Sequence, residues 1–235
     1  MAPDSTSASE GTSAPESSAA PGRAAREALA DTLEHADPHG RTLCTGWDVA
    51  HLAAHIVLRD SRPDVALGTL LGSVLPLAQG YVDRKLDATA DRTPYPDLVA
   101  GVRRGPAVSL TRVQAVDDAV NATEFAVHRA DVRRAGPGWE DVPGQGTTAA
   151  VDAALWANLR TTGKLAARKI PGPLVAVTPD GRRTQLRPGD GEPVVIAGTP
   201  LEIVLFLFGR DEVAQIELTG PADRVSTVRR VGRGL

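Results

Sequence analysis

VDDAVNATEFAVHRADVRRA, residues 116–135, decides the fold, because it lays a polar stripe along an otherwise apolar helix. From Asp117 the polar positions Asn121, Glu124, His128 and Asp131 recur at spacings of four, three, four and three, the period of one helical face. The other positions are mainly Val, Ala and Phe, so few apolar faces remain unless the stripe itself turns inward. A carboxylate and an imidazole four apart project side by side, which is how a helix offers two ligands to one metal ion. Taken alone, such a pair is more often a solvated ion pair.

A second helix tips that balance. In WDVAHLAAHIVLRD, His51 and His55 are four apart, and Leu52 and Ile56 beside them suggest an inward face. His55, Glu124 and His128 then form a two-histidine, one-carboxylate set from two helices. Three protein ligands leave an open position for water, substrate or an exogenous thiol, the pattern of catalytic rather than structural zinc, although Fe(II) uses the same donors. Asn121 and Asp131, one turn to either side, are expected to orient the ligands. His51 is at best such a supporting residue, and Asp48 a helix-start residue. Trp47 borders a pocket or packs, while Arg133 and Arg134, which follow the stripe, could meet an anionic substrate.

Length and composition narrow the classes. With 235 residues and 42% hydrophobic content the chain can bury a sizeable core. Its 26 basic and 29 acidic residues balance closely, so nothing favours nucleic acid or an anionic membrane as partner. The single cysteine, Cys44, excludes an internal disulfide or multi-cysteine zinc site and suits a reducing cytoplasm. Without an identifiable partner histidine, Cys44 is expected to be a small packing residue. The charge-free stretch 65–82 is broken by Gly68, Gly72, Pro76 and Gly80, which favours a buried helix and loop over a membrane span.

The chain divides into a disordered tail (1–21), a helical bundle (22–170) and a small α+β domain (171–235). In the bundle, Thr45 and Asp48 suggest a capping arrangement for the second helix, residues 94–106 a short helix between prolines, and Thr111 to Arg134 the striped helix. A long helix then runs to Ile170. Beyond it, PLVAVTP and RRTQLRP around Asp180-Gly181 read as a β-hairpin, and PVVIAG and VAQIELTG as two more strands. TPLEIVLFLFGR reads as a helix with Thr199 as N-cap, Pro200 in the first turn, Glu202 completing a capping box and Gly209 at its end. PADRVSTVRR reads as the final helix.

LCTGWDVAHLAAHIVLRDSRPD and NATEFAVHRADVRRAGPGWE together resemble the actinobacterial metal-binding branch of the DinB-like superfamily, grouped with mycothiol-dependent maleylpyruvate isomerases. PLEIVLFLFGR and VAQIELTG are similar to that family's small C-terminal domain. The resemblance implies a mainly α fold, a DinB-like four-helix bundle with a small C-terminal α+β domain. It implies a divalent metal, usually Zn2+, on His55, Glu124 and His128, and mycothiol as a co-substrate in isomerisation of, or transfer to, a small-molecule electrophile. Arg182, Arg183 and Arg210 are candidate contacts for that thiol's polar groups. A hydrolase using metal-activated water, or a non-catalytic metal- or ligand-binding protein, fits the same ligands.

Overall fold

The computed structural model describes residues 20–61, 76–106, 114–136, 138–139 and 146–231. The expected tail lies outside them as far as residue 19, and so does the apolar stretch as far as residue 75.

Among the described residues the larger part is built of six helices: α1 (Pro21–Glu34), α2 (Val49–Ser61), α3 (Pro76–Arg92), α4 (Tyr95–Arg104), α5 (Gln114–Arg133) and α6 (Ala149–Asn158). Three of their starts have an evident local cause. Pro21 opens α1, where its missing N–H costs nothing. The Asp48 carboxylate caps α2 by accepting from the His51 N–H at 2.9 Å, so the cap is Asp48 itself and not the expected Thr45. Thr148 caps α6 by accepting from the Val151 N–H. That helix continues through a wider turn (Leu159–Gly163) and a short run to Lys169, close to the end expected from sequence.

α5 is enclosed on most sides. Ala122, Phe125, Ala126, Val127 and Ala130 are buried, and on the polar stripe Asp131 is inaccessible and His128 is 8% exposed. Burial of the apolar positions therefore carries the stripe into the interior. α5 packs along α1 and α6, while α2 packs against α3 and α4.

The remainder is a four-stranded sheet, β1 (Leu174–Val177), β2 (Arg183–Arg187), β3 (Val194–Ala197) and β4 (Glu217–Thr219), with α7 (Pro200–Leu207) and α8 (Ala222–Arg230). The strand order is β2-β1-β3-β4, β1 and β3 running parallel and the outer pairs antiparallel. Five residues, Thr178 to Arg182, connect β1 to β2. Only Gly181 takes a positive φ, of 83°, and its N–H returns to the Thr178 carbonyl at 2.9 Å. α7 is buried almost all round and packs against α5 and α6, so the apolar residues of helices and sheet form one continuous cluster. The architecture is thus mainly α with a small C-terminal α+β part, as expected. Among the described residues no helix is long and apolar enough to cross a membrane.

The expected capping box on α7 does not form, because Glu202 has a stronger partner. Its carboxylate takes a bidentate pair from Arg134 at 2.7 and 2.9 Å and a third bond from the Gln215 N–H at 2.7 Å. Both side chains are under a tenth exposed, and the guanidinium also stacks 4.4 Å over Trp139. Arg134 therefore joins the two parts and does not await an anionic substrate. Glu202→Ala strands a buried guanidinium and should cost about 3–5 kcal/mol, whereas the double change Arg134→Met, Glu202→Leu should cost clearly less. Urea unfolding midpoints of the two variants check this.

Candidate metal centre

Three side chains from two helices meet on one carboxylate oxygen. His55 Nε2 lies 3.2 Å and His128 Nε2 3.4 Å from Oε1 of Glu124, and one ligand atom from each residue falls within 4.8 Å of the others. The α2 and α5 backbones hold them there: Leu52, Ala53 and Ile56 around His55, and Phe125 and Val127 beside Glu124 and His128, are buried. The Trp47 ring lies 5.0 Å from that of His55, inclined at 40°, so Trp47 borders the pocket.

Asp131 supports the site from below. Its buried carboxylate accepts from His128 Nδ1 at 2.9 Å, from Arg210 Nε at 2.9 Å and Nη2 at 2.8 Å, and from the Cys44 thiol at 3.2 Å. With Nδ1 held protonated by Asp131, Nε2 is the nitrogen that faces Glu124 and that, on losing its proton, offers the lone pair a metal ligand requires. Burial alone would raise the Asp131 pKa, but the bonds from His128 and Arg210 outweigh it and bring it down to about 2. Burial likewise opposes charge on Glu124 and His128, yet their mutual bond, with His55 and Arg59 on one side and Asp131 and Cys44 on the other, holds Glu124 well below its ordinary value and His128 well above. Asn121 acts through Arg59: its side-chain oxygen accepts from Nη2 at 2.7 Å, which keeps the guanidinium 3.7 Å from Glu124 Oε1.

Two participants were invisible to periodicity. Cys44 is no mere packing residue: it lines the pocket, with Sγ 3.9 Å from His128 Nδ1 and 3.6 Å from Arg210 Nη2. The loop before α2 brings it in, pinned by the Leu43 N–H on the Asp131 carbonyl at 3.0 Å. Arg210, read from sequence only as a charge, arrives just after α7. Arg182 and Arg183 do not join it: Arg182 pairs with Asp180 and stacks over Trp156, and Arg183 lies at the start of β2. His51 binds Asp48 at 2.7 Å and faces Asp87 at 3.7 Å, one turn away from the ligand set.

The pocket above the three ligands is an open cavity of about 780 Å3. Leu43, Trp47, Leu86 and Phe208 give it apolar walls, Asp83 and Asp87 an acidic edge, and Arg210 the only guanidinium among its described lining residues. Two imidazoles and a carboxylate, with one imidazole fixed by a second carboxylate, suit a divalent ion such as Zn2+ or Fe2+.

The sequence profile of the mycothiol maleylpyruvate isomerase N-terminal domain matches residues 19–162, more than half of the chain. The chain belongs to that family. Two solved structures share its fold: a crystal structure of the mycothiol-dependent maleylpyruvate isomerase, 17% identical with a TM-score of 0.57, and that of a histidine-to-alanine mutant, 18% identical with a TM-score of 0.56. Each likeness covers 85% of this chain and 90% of the other. No curated protein matches by sequence. The DinB-like resemblance carried by the two histidine motifs agrees with the family assignment.

Two outcomes follow from the geometry. A divalent ion must displace the proton that His128 holds toward Glu124, so affinity should rise with pH and binding should release protons. Asp131→Asn should weaken it roughly 10–100-fold by loosening His128; calorimetry in buffers of different ionisation heat measures both. In the metal-free protein, folding lowers the Asp131 pKa from 3.8 to about 2. The unfolded chain then takes up the proton first on acidification, so this carboxylate stabilises the fold by about 2 kcal/mol above pH 4, a contribution lost as pH falls through about 2. Acid unfolding of Asp131→Asn beside the parent checks that dependence.

Proposed function

We propose that this chain is a metal-dependent enzyme, with zinc held by His55, Glu124 and His128, that uses mycothiol to isomerise or accept transfer onto an electrophilic small molecule. The observation that carries the reading is the convergence of these three donors beneath an open pocket, within a family described by mycothiol and maleylpyruvate isomerase. A divalent ion bound by such donors lowers the pKa of a thiol at its open position and so provides a nucleophile at neutral pH.

The residues supply the rest. Trp47, Leu86 and Phe208 give the open space above the three donors apolar walls that favour the apolar part of an electrophile. Arg210 spends Nε and one Nη2 hydrogen on Asp131, the other Nη2 hydrogen on Cys44 Sγ at 3.6 Å and one Nη1 hydrogen on the Phe208 carbonyl at 2.8 Å, so of its five N–H groups the second Nη1 hydrogen remains for a carbonyl or carboxylate of the substrate. The reaction we assign is reversible addition. The thiolate sulfur bonds to one carbon of a carbonyl-activated cis double bond, and the π pair moves onto the carbonyl oxygen. The resulting single bond rotates, and the same electron pair returns as the carbon–sulfur bond breaks, leaving the trans isomer and the thiolate. Without that expulsion, a proton on the neighbouring carbon completes net thiol transfer.

Calorimetry of zinc-loaded protein with mycothiol should show binding that disappears in His128→Ala and in the metal-free chain, and maleylpyruvate should isomerise only when thiol is present. Absence of metal-dependent thiol binding overturns the thiol reading. Turnover of esters or amides without thiol would make the chain a hydrolase, and neither activity a binding protein.

A further inference from the structure

A second cavity, of about 600 Å3, lies on the reverse face of α5 from the metal centre, where α1, α5 and α6 meet the start of α7. That volume is within the ordinary range of small-molecule sites. Its floor is methyl groups: Ala24, Ala25 and Ala28 of α1 and Ala126 and Ala130 of α5. Side chains this small cannot fill the space between helices, and the gap is left open to a ligand with an apolar body.

The charges around the cavity are unevenly satisfied. Glu202 is consumed by Arg134 and Gln215, and Asp152 accepts from the Thr147 hydroxyl at 2.5 Å. Arg129 is different. Its partly buried guanidinium donates only to neutral oxygens, the Thr32 hydroxyl at 3.3 Å and the Gly146 carbonyl at 3.2 Å, and among the described residues no carboxylate comes within ion-pair distance. A partly buried guanidinium whose direct partners are all neutral is less well satisfied than one held in an ion pair. Burial, and then Arg133 next to it, lower its pKa, against the opposing pull of the more distant Asp31 carboxylate. The N-termini of α6 and α7 open on the same space at Thr148 and Thr199, and Thr199 makes no side-chain capping bond there. Their dipoles add positive potential to that of the arginine.

We propose that this cavity is a second binding site, separate from the metal pocket, for a small molecule that pairs one carboxylate with a compact apolar body. The carboxylate meets Arg129, and the body lies on the alanine floor between α1 and α5.

The test uses the full-length zinc-loaded protein and 4-fluorobenzoate as probe, followed by fluorine NMR titration. One variant, Arg129→Met, keeps the aliphatic stem and removes the charge; another, Ala28→Phe, fills the floor from a partly exposed position of α1. Arg210→Met removes the cation of the metal pocket. The parent and Arg210→Met should bind the probe saturably, Arg129→Met should bind it roughly tenfold or more weakly, and Ala28→Phe should not bind it. Thermal unfolding and zinc content should show Arg129→Met folded and loaded; if Ala28→Phe does not fold, Arg129→Met alone decides. Unchanged affinity in Arg129→Met overturns the proposal. So does a parent that fails to bind at millimolar probe, or binding abolished by Arg210→Met and kept by Arg129→Met.

Discussion

A carboxylate with no exposure to water must find all its partners within the protein, and Asp131 finds them on its own helix and in two distant stretches of the chain. His128 comes from its own helix, Cys44 from the loop before α2, and Arg210 from the segment after α7. The imidazole is thereby fixed in one tautomer, the loop that carries Trp47 is drawn against α5, and the C-terminal part is docked by a bidentate ion pair. Loss of this one anion would leave a partly buried guanidinium and a histidine free to rotate.

The polar groups around the three donors are arranged in pairs. Glu124 has Arg59 beside it and Asp131 has Arg210, so each of these two carboxylates is met by one guanidinium. A doubly charged cation bound there would make the space around the donors more positive, a change that the Asp83 and Asp87 edge opposes. The like-signed Arg59 close to Glu124 opposes tight metal binding, and the imidazoles, which carry no charge when they ligate, offset that repulsion by direct bonding.

Much of this was legible in the sequence because it rests on local periodicity. The stripe on α5 is readable since Val, Ala and Phe occupy its other faces, and the hairpin since Gly181 is needed at a positive φ. The convergence of Cys44 and Arg210 on Asp131 was not, because pairings that span 87 and 79 positions obey no repeat. The capping box on α7 misled for a related reason: Glu202 satisfies the local pattern, but a buried guanidinium holds a carboxylate more strongly than a backbone N–H does. The cavity behind α5 is a property of three helices at once, and no single run of alanines announces it.

The dependence of His128 on Arg210 also imposes an order on assembly. Synthesis from the N-terminus completes the three donors at residue 128, but the arginine that neutralises Asp131 follows that residue by 79 positions. Until Arg210 has been made, the Asp131 carboxylate has no guanidinium partner, so the carboxylate that fixes the His128 ring depends for its charge balance on the C-terminal part and the helices alone do not complete the centre.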